Sequence, residues 1–257
     1  MISPTAIVDS KAIIGEGVEI GHYAVIGPNV TVGDHTRIGH HTVIEGPTRI
    51  GARNRISHHV VMGTAPQDLK YQDEPTELEI GDENIIREFA TIHRGTIGGH
   101  KITRVGNKNM VMAYAHIAHD CHVGNEVILA NAVNMAGHVE IDDYAIIGGM
   151  CAIHQFVHVG RFAFIGGGTA VAQDVIPFGL VAGSRGTLHG INTIGLRRRG
   201  FDQERRHAIH TAVRYLLSSE LNLSTAVDKI RSEFGGLPEI DQMLEFIGSS
   251  QRGILLK

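Results

Sequence analysis

The sequence predicts a mainly β chain: a parallel β-helix of six-residue repeats followed by a small C-terminal α-helical domain. Three observations predict it. An aliphatic residue or Met recurs at every sixth position from Ile2 to Met62. Glycine is abundant, 32 of 257 residues, whereas aromatics make up 5% and Trp is absent, so aliphatic side chains must fill a core bounded by many tight turns. Beyond Leu196 the composition changes to helix formers with apolar residues at helical spacing.

The repeat runs through Ile2, Val8, Ile14, Ile20, Ile26, Val32, Ile38, Ile44, Ile50, Ile56 and Met62, with Gly following at Gly15, Gly21, Gly27, Gly33, Gly39, Gly51 and Gly63. Two residues before each aliphatic stands something small or β-branched, such as Ala24, Val30 or Thr42, and Asn54 breaks that rule. A period of six fits neither a helix nor an ordinary strand. It fits one short strand plus one turn. Three such units make an 18-residue triangular coil with the aliphatic and small positions inward, so residues 18 apart stack at about one strand spacing, ~4.8 Å. Cys121 and Cys151 both fall on the small inward position and read as core filler with no redox role.

Two interruptions follow. Thr64 to Leu78 (TAPQDLKYQDEPTEL) keeps the frame, since Met62 and Ile80 are 18 apart, and reads as one coil's worth of chain turned polar. The frame resumes at Ile80, Ile86 and Ile92. Gly95 to Arg104 then shifts it by one, after which it runs from Val105 to Val171. Loops on a rigid scaffold often carry function, but for this second loop a tolerated insertion is an equal reading.

The pattern decays through Val175-Ile176-Pro177, which puts the β-helix at residues 1–190 and the helical domain at 191–257. A first helix lies within GFDQERRHAIHTAVRYLLSSE, with Ile209, Val213, Leu216 and Leu217 on one side. A second covers 225–234 behind a cap at Asn222 or Ser224, and Pro238 starts a third. This domain is expected to cover the open end of the prism, where strand edges would otherwise be bare.

Charge and composition exclude several function classes. A net charge of −4 and pI near 6.5 give no basic field for nucleic acid. No apolar run approaches the 18 residues of a membrane span, so no stable membrane insertion is expected. The start, MISPTAIVDS, lacks a secretory signal, and two cysteines make no disulfide framework; a reducing cytoplasm is the expected compartment. Gly166-Gly167-Gly168 is no phosphate loop, because no Gly-Lys-Ser/Thr follows.

Histidine carries the chemistry. Of 17, His116, His119 and His122 form H-x-x-H-x-x-H in AYAHIAHDCHVG, with His138 and His154 further on. They stand at outward positions, where a neutral imidazole can act as a general base. Eighteen residues beyond His119 is Gly137, and eighteen beyond Asp120 is His138. A glycine one rung from the base admits a substrate close to the backbone, and its N–H can hold an oxyanion. Asp120 is a candidate to orient an imidazole, although adjacent residues ordinarily face different ways. Two other readings stay open: histidines that decorate turns, and a Zn²⁺ site from His116, His122 and His154 across a subunit boundary. His116 and His122 lie one strand apart on different faces, which favours acid–base use.

The segments QDLKYQDEPT, IREFATIHRGT, AHIAHDCHVGN, AGHVEIDDYAIIGGM, HQF, VAQDVIPF and GLRRRGF together resemble the UDP-N-acetylglucosamine acyltransferases of lipid A synthesis, over essentially the whole chain. The resemblance implies a left-handed coil, a rare exception to right-handed crossovers. It implies transfer of an (R)-3-hydroxyacyl chain from acyl carrier protein to the glucosamine 3-hydroxyl, with His119 as base. No metal, cofactor or acyl-enzyme takes part, and the carrier's phosphopantetheine arm is a substrate. It further implies that Asp68 and Lys70 lie on a substrate loop and that His116, His138, His154 and Gln155 line the cleft. Asn192, Arg198 and Arg199 would hold the nucleotide, and Gly167 would mark the end of the acyl pocket. The site would lie between subunits of a homotrimer. The family often has an acidic residue where this chain has Ile194, which removes one expected nucleotide contact. Arg197-Arg198-Arg199 reads as a phosphate or carrier-protein site or as a solvated helix face. The alternatives are an N-acyltransferase on an amino-sugar nucleotide, a zinc carbonic anhydrase on the same fold, and a trimeric scaffold without activity.

Overall fold

A computed structural model describes residues 1–256 as a left-handed parallel β-helix followed by a helical domain. The strands are two to five residues long and stack into three parallel sheets, the faces of a triangular prism. The first face has nine strands, from Ile7–Val8 to Ala170–Val171. The second has eight, from Ile13–Ile14 to His158–Val159. The third has ten, from Glu19–Ile20 to an antiparallel pair, Gly179–Ala182 with Thr187–Ile191.

Both inward positions of the repeat are buried, the aliphatic at Ile26, Ile44, Ile86 and Ile147 and the small one at Ala24, Val30, Thr42 and Cys151. Burial pushes the Cys121 thiol up to about 12, and its Sγ donates to the Ala136 carbonyl, so it behaves as core. Asn54, the residue that broke the rule, starts a buried amide ladder. Its Oδ1 accepts from the N–H and the Nδ2 of Asn84, Asn84 Oδ1 accepts from the N–H of Asn109, and Asn109 Oδ1 accepts from Val127 N–H.

Register runs at 18 residues wherever the coil is regular, as in His116, Asn134, Ala152 and Ala170. The first loop corrects the sequence reading. Met62 pairs with Ile92, thirty residues on, and Ile80 pairs instead with Ile50 on the next face. The loop therefore adds twelve residues between two neighbouring strands and does not replace a coil. Twelve is a multiple of six, which is why the frame survived. Across the second loop Ile92 pairs with Ile117, twenty-five residues on, so seven are added and the frame moves by one.

Most corners are turned by a residue in the left-handed region, among them Tyr23, His41, His59, Phe89, Tyr114, Asp120 and His138. Side chains at these positions pile up along the axis, as in the stacked rings from Tyr23 to Tyr114.

Four helices follow: α1 Thr193–Arg198, α2 Gln203–Leu217, α3 Leu223–Phe234 and α4 Pro238–Ser249. Asn222 caps α3 through Thr225 N–H, and Pro238 opens α4. The short α1 had no sequence signal long enough to read. The strand edges at the top of the prism are taken less by helices than by extended chain. Arg185 bridges to Ala170, Ile254 to Asp174, and the hairpin strand Thr187–Ile191 closes the third face. No helix among the described residues is long and apolar enough to cross a membrane.

Candidate active site

His119 and Asp120 stand at the corner between the first and second faces, between strands His116–Ile117 and His122–Val123. Asp120 has φ 58°, and this turn folds its side chain back beside its neighbour. His119 Nδ1–H therefore donates to Asp120 Oδ2 at 2.8 Å, a contact that strand alternation would forbid. The other ring edge lies over Gly137, one coil on. A Cβ built at residue 137 would stand 2.5 Å from Cε1 and 2.7 Å from Nε2 of His119. Only glycine leaves the ring its place.

The backbone N–H of Gly137 has no partner among the described residues. At some corners the N–H at this position is taken by a side chain eighteen residues further on, as His22 by His40, His40 by His58, Asn107 by Asn125 and Asn125 by Asp143, whereas at Gly137, as at Asn131 and Gly149, it stays free. The residue eighteen beyond Gly137 is Gln155, which makes no such bond. The corner thus presents an imidazole nitrogen and a free amide donor side by side, the pairing that acyl transfer requires.

Asp120 is 1% exposed. Its carboxylate accepts from Thr96 N–H at 3.0 Å, from Thr96 Oγ1 at 2.6 Å and from His100 N–H at 2.9 Å, while its own N–H donates to Thr103 Oγ1 at 2.8 Å. Thr96 and His100 belong to the second loop, and Thr103 lies in the strand Ile102–Val105 that leaves it. Burial works against the charge, but the hydrogen bonds from His119 and Thr96 outweigh it and hold the carboxyl below its usual range.

His138 lies edge-on to His119 with ring centroids 5.2 Å apart and stacks on Phe156 at 4.6 Å. Desolvation lowers its pKa, with the nearby charge of Asp120 opposing and that of His119 adding to the effect. His116 is held by Thr91 Oγ1 at 2.7 Å, and burial, then the charge of His119, lowers its pKa. Behind it His93 is 5% exposed, meets His116 edge-on, and is lowered to about 4 by burial and by the charges of His116 and His119.

His116, His119, Gly137 and Gln155 line one groove of about 440 Å³ along the first face, with Gln67 of the first loop arching over it. Asp68 on that loop acts electrostatically on His138, and its Oδ1 caps the N–H of the exposed Lys70. Arg94 anchors the loop through the Tyr71 hydroxyl at 2.9 Å. His154 is exposed beside this groove, with Nδ1 against the Gln155 carbonyl. Gly167 lies at the opposite corner of the same face, stacked on Gly149.

Asn192, Arg198 and Arg199 are not brought to this groove. They line a larger cavity, about 590 Å³, on the third face and at its corner with the second, with Tyr144, Phe162 and Ile194. There Arg199 pairs with Glu126 at 2.6 Å and lies over the Tyr144 ring. Asn192 is buried, its Oδ1 capping α1 and its Nδ2 donating to the Phe162 carbonyl.

Within one chain the three zinc candidates do not meet. His116 is on the first face and His122 on the second, in a column with Arg104 and Glu140. Among the described residues, potential ligand atoms converge only at His119, Asp120 and His138, and there Asp120 is already saturated by Thr96, His100 and His119. Sequence reasoning missed Thr96, His100 and Thr103, although Thr96 is the last residue of IHRGT.

Two family models match, a bacterial transferase hexapeptide of six repeats over residues 11–46 and "Udp N-acetylglucosamine O-acyltransferase; Domain 2" over residues 174–255. An acyl-[acyl-carrier-protein]–UDP-N-acetylglucosamine O-acyltransferase of Anaeromyxobacter dehalogenans is 53% identical over 253 residues, covering 98% of each chain. That of Alkalilimnicola ehrlichii is 49% identical over 254 residues, covering 99% of this chain and 98% of its own. The solved UDP-N-acetylglucosamine acyltransferase of Bacteroides fragilis superposes with a TM-score of 0.97 at 43% identity, covering 99% of this chain and all of that one. The Francisella novicida enzyme gives 0.95 at 39%, covering 100% and 94%. With its repeat, its terminal domain and its histidine corner all accounted for, this chain belongs to the UDP-N-acetylglucosamine O-acyltransferase family.

Proposed function

We propose that this protein moves an (R)-3-hydroxyacyl chain from acyl carrier protein to the 3-hydroxyl of UDP-N-acetylglucosamine, the first step of lipid A biosynthesis. The observation that carries the chemistry is His119 Nε2 packed against Gly137, whose N–H is free. Asp120 holds Nδ1–H, which leaves Nε2 unprotonated and facing the groove. Nε2 takes the proton of the sugar hydroxyl as its oxygen attacks the thioester carbonyl. The Gly137 N–H binds the oxyanion of the tetrahedral intermediate. Collapse breaks the carbon–sulfur bond, and the imidazolium returns its proton to the phosphopantetheine sulfur. His119 ends as it began, and neither a metal nor a covalent acyl-enzyme enters.

The working unit is a homotrimer. Outward residues of the third face form an apolar column, Met110, Ile128, Ile146, Phe164 and Leu180, each half-buried in the single chain. The second face at the same level carries Arg104, His122, Glu140 and His158. An apolar face this long favours a partner, and a threefold arrangement turns it toward a neighbour's first face. The cavity holding Asn192, Arg198 and Arg199 then faces the neighbour's His119 groove, which suits a nucleotide bound across the boundary.

The test incubates purified protein with (R)-3-hydroxyacyl carrier protein and UDP-N-acetylglucosamine. Mass spectrometry is expected to find the mono-acylated nucleotide sugar as a 3-O-ester. Acylation of a 3-amino acceptor alone, or none of either sugar, contradicts the reading.

A further inference from the structure

The second loop has a use that its sequence does not declare. On a regular coil the Asp120 carboxylate would project from a corner into solvent. The seven added residues fold over it instead, and Gly99 comes so close that a Cβ there would stand 2.4 Å from Asp120 Cγ. Oδ1 accepts from the N–H of Thr96 and of His100. Oδ2 accepts from Thr96 Oγ1 at 2.6 Å and from His119 Nδ1 at 2.8 Å. Both donors thus meet the one oxygen that orients the imidazole. Thr96 is 6% exposed, and its hydroxyl donates nowhere else.

We infer that Thr96 is a positioning residue for acyl transfer: its hydroxyl fixes Asp120, and Asp120 fixes the tautomer and aim of His119. The inference rests on the acyl-transfer reading and deepens it. A carboxylate with four donors around it has no freedom to rotate, so the imidazole keeps Nδ1–H toward it and Nε2 toward the substrate. The hydroxyl also withdraws charge from the oxygen that faces Nδ1. Without it that charge concentrates, and the imidazole keeps its second proton to higher pH. The other titratable groups facing this pair are His116 and His93 from the first face, His138 from the next coil, His100 from the same loop and Asp68 from the first loop.

The test compares wild type with Thr96→Val, Thr96→Ala and Thr96→Ser, each checked by thermal melting. The backbone donors survive in all three, which keeps the loop in place. Both hydroxyl-less variants are expected to lose kcat by roughly 10- to 100-fold with little change in KM, as misaimed catalytic groups do. The acid limb of their kcat/KM profiles moves to higher pH, and Thr96→Ser restores both. In parallel, ¹⁵N spectra of the histidine rings read the His119 tautomer without substrate, and the hydroxyl-less variants are expected to mix tautomers where wild type has one. Wild-type kcat, acid limb and ring spectra in Thr96→Val and Thr96→Ala overturn the inference. If the wild-type protein fails to acylate the nucleotide sugar, the acyl-transfer reading falls, while the ring spectra still decide what Thr96 does to His119.

Discussion

The ring of His119 occupies the space that a side chain at Gly137 would need, with Cε1 at 2.5 Å from the position of the missing Cβ. Eighteen residues of sequence separate them, and one rung of the coil. Gly137→Ala keeps the amide donor yet displaces the ring. Its φ is not in the left-handed region, so the backbone accepts Ala. We expect kcat to fall by about 10²-fold, as for a misplacement of around 1 Å, with a melting temperature near wild type. Steady-state kinetics beside a thermal melt checks this.

We propose that Gly167 marks the end of the acyl pocket. A Cβ there would lie 3.2 Å from the Gly149 carbonyl, close enough for a small adjustment, and beyond it the side chain projects outward. Gly167→Met is expected to shift preference to shorter chains without loss of fold. Relative kcat/KM across carrier-protein thioesters of several lengths is the measurement, and an unchanged profile means the pocket ends elsewhere.

The helical domain is latched by a titrating group. His158 lies tilted against Phe246 of α4 with ring centroids 4.6 Å apart, its Nε2 meets Asp142 at 2.9 Å, and its backbone N–H donates to Asp174, which also accepts from Ser250. Burial opposes the imidazolium, but the hydrogen bond to Asp142 and the charges of Asp142, Glu140 and Asp174 outweigh it, so the pKa is raised. A raised value means the folded state binds the proton more tightly. The resulting stability is full below the ordinary ~6.5 and is lost as pH rises through the raised value. His158→Gln should therefore melt lower than wild type at about pH 6, with the gap closing toward about pH 9.

Much of this was legible in the sequence because a period of six survives translation into coils. Inward positions, the small partner of each aliphatic, the cap at Asn222 and the stacking of His119 on Gly137 all follow from counting. Counting failed where chain was inserted. Twelve residues leave the frame unchanged, so Met62 seemed to stack under Ile80 when its partner is Ile92. The amides of Asn54, Asn84 and Asn109 form one ladder, yet their spacings of thirty and twenty-five hide it. The His119–Asp120 contact depends on one left-handed corner, and the hold of Thr96 on Asp120 depends on a loop folding back, neither of which has a periodic signature. Residues at two corners of one chain also looked like one site because the family pattern merges what two subunits would supply.

The amide ladder makes a stability prediction. Asn84→Ala strands the buried N–H of Asn109 and takes the amide donor from the Gly106 carbonyl, while Asn54 Oδ1 keeps the backbone N–H of residue 84. Each lost partner costs about 1–3 kcal/mol. Denaturant unfolding should show a loss near the sum, whereas a loss under about 0.5 kcal/mol would mean that water replaces the amide.

The central claim is that the imidazole at this corner removes a proton from the sugar hydroxyl. The most direct measurement is kcat of His119→Ala, purified as a folded oligomer with wild-type melting behaviour. General-base removal predicts a fall of about 10²–10⁴-fold. Turnover within a few-fold of wild type in that variant would contradict the account.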